Sequence, residues 1–224
     1  MSFDLICKGC GAPSSPSTGT CPFCKSIMTA VKGRSNPLVG QIQKYYLAGN
    51  LTQALALANV LYKEKNKKSE GLAFLMTFVK ILFETEAPSY QINAVLGKAF
   101  MLYPENGEIL DYLELMQAKE LLIPGKEDDG EVLLKNILRR SPKNPHVLFT
   151  LGAHSFLIDN EVEYSLRYLE KCVSYRKSFL RAWACLGTLY KSVGQKHLAN
   201  KAYKEAIKLE NDKDMKIFLK EQLS

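Results

Sequence analysis

A chain of 224 residues that is 46% hydrophobic and 24% charged, with nine prolines, has the composition of a folded protein able to bury a core. It lacks the roughly 18 consecutive uncharged apolar residues that a membrane-spanning helix needs, so membrane partners are not expected. The net charge of +7 and pI near 9.0 do not form a basic tract: Lys63, Lys65, Lys67 and Lys68 alternate with Glu64 and Glu70, which reads as a solvated surface.

The start, Met1-Ser2-Phe3-Asp4-Leu5-Ile6-Cys7, has neither a basic leader nor an apolar run, and the expectation is a cytoplasmic protein. Four of the six cysteines follow at once: Cys7, Cys10, Cys21 and Cys24, spaced C-x2-C-x10-C-x2-C. Two residues between ligands let one tight turn aim both sulfurs at a point, and the second pair closes the tetrahedron around Zn2+ at about 2.3 Å. A closed set of four thiolates leaves no position for water, so the metal is expected to be structural, and this short segment is expected to fold only with it. A redox C-x-x-C and an empty, reduced set of thiols are the rival readings; the first lacks the βαβ context it would need. The string Cys7-Lys-Gly-Cys10-Gly11…Cys21-Pro-Phe-Cys24 resembles the short zinc-ribbon modules that head many bacterial and archaeal proteins, with Lys25 where many of them carry a further Gly. The expected organisation is a zinc ribbon over 1–30, a linker over 31–36 and a helical domain over 37–224.

From residue 37 only helical spacing appears, broken by Gly, Asn and Pro. Asn36-Pro37 and Asn144-Pro145 both read as a cap followed by proline in the first helical turn. Helix pairs are expected at about 37–67, 69–105, 107–143, 145–177 and 180–211. In the second helices, small and apolar residues recur at matching offsets: Ala54, Ala58 and Leu61; Ile92, Leu96 and Ala99; Gly130, Leu134 and Ile137; Ser165, Leu169 and Cys172; Ala199, Tyr203 and Ala206. The segment Ile123 to Gly130 reads as a long loop projecting from the surface, and residues 212–224 as a capping helix turning Met215, Phe218 and Leu219 inward.

The fifth pair carries Trp183-Ala-Cys-Leu186-Gly187-Thr-Leu-Tyr190, then Gly194, Ala199, Tyr203 and Ala206. This resembles the tetratricopeptide repeat pattern W-x2-L-G-x2-Y…A-x3-F, with Asn211 in the slot where that family usually has proline. The resemblance covers about residues 37–224. It implies an all-α solenoid of about five pairs, whose first helices line a concave face that commonly holds a peptide or helix of another protein. The groove residues expected on that basis are Val39, Gln43 and Tyr46 in the first pair, Phe149, Ala153 and Phe156 in the fourth, and Arg181, Ala184, Thr188 and Lys191 in the fifth. Such a groove would be apolar in the middle and basic at its carboxyl-terminal end; the alternative is that Phe149 and Phe156 pack inside the array.

Catalytic signals are absent. His146, His154 and His197 stand apart from any nucleophile or carboxylate at suggestive spacing and read as cap or surface residues, and Cys172 and Cys185 as small apolar fillers. The expected function is therefore a non-enzymatic scaffold that binds a protein segment. The alternative is nucleic-acid or ribosome association through residues 1–34. There Lys8, Lys25, Lys32 and Arg34 outweigh Asp4, but Phe3 and Phe23 alone make a poor stacking platform.

Overall fold

The computed structural model describes residues 5–6, 13–14, 37–64, 71–123, 126–157 and 161–223. Near the amino terminus, β1 (Leu5–Ile6) pairs antiparallel with β2 (Pro13–Ser14). The four cysteines lie outside the described residues. No strand follows Ser14 among the described residues.

Ten of the eleven described helices run as consecutive antiparallel pairs: α1 (Pro37–Leu47) with α2 (Leu51–Lys63), α3 (Leu72–Glu84) with α4 (Ser89–Leu102), α5 (Gly107–Leu121) with α6 (Glu127–Arg140), α7 (Pro145–Leu157) with α8 (Val162–Tyr175), and α9 (Leu180–Ser192) with α10 (Lys196–Leu209). Each second helix packs on the first helix of the next pair, and α11 (Lys213–Glu221) packs on α10. The order is that of a tetratricopeptide-like array.

Local chemistry sets the boundaries. The side chains of Asn50, Asn106, Asn144 and Asp212 each accept backbone N–H bonds at a helix start, meeting donors that have no partner within the helix. Gly49, at φ +80, turns the chain between α1 and α2, a conformation that L side chains rarely adopt. The segment expected to project as a loop through Gly130 is already helical from Glu127. Glu127, Asp128 and Asp129 form the first turn of α6, where their charge suits the positive end of the helix dipole.

The second-helix stripe is the core of the array. Ala54, Ala58, Leu96, Ala99, Leu134, Ile137, Leu169, Cys172 and Ala206 are all fully enclosed. Gly187 lies so close to Tyr203 that a methyl group on it would stand 2.6 Å from the ring, so α9 and α10 nest where the sequence motif requires. The α11 packing differs from expectation. Leu219 is buried, but Met215 and Phe218 are about half exposed, because that short helix packs mainly against α10.

The array also closes on itself. Ser178, between α8 and α9, donates to the Leu47 carbonyl at the end of α1 (2.9 Å), and Gly49 approaches both Ser178 and Leu209 of α10. The first pair therefore touches the fourth and fifth as well as the second. That curvature brings the inner ends of the first helices together.

Candidate binding hollow on the inner face

The first helices of four successive pairs converge on one concavity of about 270 Å3. Phe83 ends the apolar run of α3, and Glu86 follows at φ 51, a strained setting for a residue with a side chain. Lys119 and Leu122 come from the end of α5. His146, Phe149, Thr150, Ala153 and His154 come from one side of α7, and Phe179 and Arg181 from the start of α9. The floor is aromatic: Phe149 and Phe179 lie with ring centroids 4.9 Å apart, and Phe179 meets His146 at 5.5 Å.

Two cations stand over these rings. The Arg181 guanidinium is 4.7 Å from the Phe149 centroid and pairs with Glu86 across the mouth. The Lys119 ammonium is 5.4 Å from the Phe83 centroid. Lys119 is exposed as a residue, yet desolvation of the ammonium, then the neighbouring Arg181 charge, holds its pKa below the ordinary lysine value. With Lys119 and Arg181 against Glu86, the mouth carries an excess of positive charge.

Beneath the hollow is a buried polar cluster. Glu84 accepts from the Tyr46 hydroxyl (2.7 Å) and from Arg176 Nε (3.0 Å), and Arg176 Nη2 also donates to the Tyr46 carbonyl (2.7 Å). The same guanidinium lies 3.8 Å from the Tyr46 ring centroid. His146 Nδ1 is 2.7 Å from the Tyr112 hydroxyl. Its Nε2 lies 3.3 Å from Glu84 Oε1, close enough for an ion pair but without hydrogen-bond alignment. Burial, reinforced by Glu84, raises the Tyr46 pKa, and burial likewise raises that of Tyr112, so both stay protonated. Burial works to raise Glu84, yet His146 and Arg176 leave its carboxyl below the ordinary value. Burial holds His146 below its ordinary value against the pull of Glu84, so the imidazole is neutral at pH 7.

Arg176 holds the carboxylate of this cluster through Nε and Nη2 and donates to the Ser178 hydroxyl through Nη1, so the arrangement fixes geometry. Among the described residues no group of three or more His, Cys, Asp or Glu could hold a metal ion. None of the described helices is long and apolar enough to cross a membrane.

The residues expected to form a groove are divided by the structure. Phe149, Ala153 and Arg181 share the hollow. Tyr46 is buried in the polar cluster, while Val39 packs half-buried against the main core and Gln43 is half-buried on α1. Phe156 packs against the core around α8 and α9. Ala184 turns toward α10, Thr188 shares a 3.1 Å hydrogen bond with Tyr203, and Lys191 reaches Gln222. Phe83, Glu86, Lys119 and Leu122 were not evident from the sequence, because α3 and α5 lack the repeat signature, and Phe179 was not because it precedes the signature of α9. His146 is no surface cap: it is 3% exposed, enclosed by Phe83, Tyr112 and Phe179. His154 is also buried, and His197 lies in the first turn of α10. Cys172 is fully buried and donates toward the Pro145 carbonyl, and Cys185 is half-buried in the same core, so both fill space as expected.

No protein-family model and no curated protein sequence matches the chain. Among solved structures, it is similar to a crystal structure of MamA at 17% identity, over 75% of this chain and 93% of that one, with a TM-score of 0.41. It is likewise similar to PilW, titled a widely conserved type IV pilus biogenesis factor (15%, 83% and 82%, TM-score 0.43). A third is YrrB, titled a TPR protein with an unusual peptide-binding site (14%, 84% and 92%, TM-score 0.43). Scores this low decide nothing, and the tetratricopeptide-like architecture rests on the chain's own helix order and packing.

Proposed function

We propose that this chain is a non-enzymatic scaffold that holds a segment of a partner protein against its inner face. An apolar side chain of that segment enters the hollow, and an acidic group beside it faces Lys119 and Arg181. The observation that carries this reading is the aromatic floor formed by Phe83, Phe149 and Phe179 under a mouth with surplus positive charge. A hollow of about 270 Å3 suits one bulky side chain, and a small apolar pocket with a few placed charges is the usual form of a specific anchor site.

Cys7, Cys10, Cys21 and Cys24 hold a structural Zn2+ in this proposal. Their spacing supports it, as does the antiparallel pairing of Leu5–Ile6 with Pro13–Ser14, two strands that flank the first cysteine pair in the sequence.

Selection of displayed peptides on the full chain tests the scaffold reading, with Ala153→Trp filling the hollow and Arg181→Ala removing one cation. The expected peptides share a bulky apolar residue next to Asp, Glu or a terminal carboxylate, and both variants lose them. Peptides retained equally by Ala153→Trp would remove the hollow from the function.

A further inference from the structure

The outer face of the last full pair carries an organised charge pattern that the hollow does not use. His197, Lys201, Lys204 and Lys208 are spaced by four, three and four residues, so they form one straight stripe along α10. At about 1.5 Å rise per residue, Lys201 and Lys208 are roughly 10 Å apart along the axis. Lys220 of α11 joins them across an open cleft, and Ile207 and Leu223 supply an apolar strip at its side. Several cationic groups elsewhere in the fold are differently placed: Lys80, Lys135, Arg140, Arg176 and Arg181 each meet a carboxylate. In the cleft, Glu205 is taken up by Lys208. Lys201, Lys204 and Lys220 have no ion-pair partner among the described residues.

We propose that the α10–α11 cleft docks an acidic amphipathic helix of another protein. Carboxylates on successive turns of that helix meet the lysine stripe, and an apolar seam rests on Ile207 and Leu223. A helix matches because acidic residues at i, i+4 and i+7, on a helix running antiparallel to α10, repeat at the same axial intervals as Lys208, Lys204 and Lys201. A single nucleic-acid strand is the poorer fit: no Phe, Tyr or Trp lines the cleft, so bases would have only the His197 ring to stack on. The site is separate from the hollow, so either can fail without the other.

Fluorescence anisotropy with the full chain tests it, using a labelled helical peptide of about five turns with a Leu seam and Glu at i, i+4 and i+7. A Gln-for-Glu version and an oligothymidine of similar length are the comparisons. The Glu peptide is expected to bind, to weaken steeply with added salt, and to bind at least about tenfold more tightly than the Gln version. Lys201→Glu combined with Lys204→Glu and Lys220→Glu is expected to abolish that preference, and Ala153→Trp to leave it intact. Equal binding of the Glu and Gln peptides to the unaltered chain, or no binding of either, overturns the proposal. So does tighter binding of oligothymidine.

Discussion

Glu84 and Arg176 lie 92 positions apart, and their side chains meet at 3.0 Å in the interior, the carboxylate 2% exposed and the arginine 8%. One closes the third helix and the other follows the eighth, so the contact measures how far the array has curled. Glu84→Gln leaves the Arg176 charge buried without a full counterion, and a loss of about 3–5 kcal/mol in denaturant unfolding is expected. Replacing both residues with Met is expected to cost less than the two single changes added together, because neither charge is then stranded.

The same cluster makes stability depend on pH. His146 has a folded pKa below its ordinary value of 6.5, so under about pH 6.5 the unfolded chain takes up a proton that the folded chain refuses. That contribution is complete above the ordinary value and is lost as the pH falls toward the folded one. Glu84 acts in the same direction under its ordinary value of 4.5, since its folded pKa is also lowered. The melting temperature is expected to drop as the pH falls from 7.5 to 5, and His146→Gln to flatten that part of the curve. An unchanged slope in the variant would contradict the buried, neutral assignment.

Two glycines separate close packing from empty space. A methyl group at Gly187 would sit 2.6 Å from the Tyr203 ring, whereas nothing lies within 4 Å of one at Gly97 in α4. Gly187→Ala is expected to destabilise by about 1–3 kcal/mol, and Gly97→Ala to stabilise by about 0.5–1 kcal/mol through helix propensity. Chemical denaturation of both variants checks the signs.

The amino-terminal cysteines are tested by metal analysis. The full chain is expected to carry one equivalent of zinc, and Cys10→Ser to lose most of it by removing a ligand from a closed set of four. The thermal transition of the helical array is expected to remain where it was.

The helices were legible because packing between neighbours is written locally. Ala54, Ala58, Leu134, Ile137, Ala199 and Ala206 recur at fixed offsets and all prove buried. Caps such as Asn144 and Asp212 fell where a polar side chain precedes a helical turn. The hollow was legible only in part. Phe149 and Arg181 stood out, but Phe83, Lys119 and Phe179 reach it because of the curvature of the whole array, which no repeat-length offset encodes. For the same reason His146 looked solitary: its neighbours Tyr112 and Glu84 are 34 and 62 positions away (146 − 84 = 62). One local hint existed, the lone carboxylate of Glu84 closing the apolar run of α3.

Contact of Leu47 and Gly49 with Ser178 and Leu209 changes how such a protein comes apart. An open row of repeats can fray from either tip, each unit leaving at the cost of a single interface. Here the leading hairpin cannot detach without also baring the seam beside the last, so the two extremities are bound to melt together.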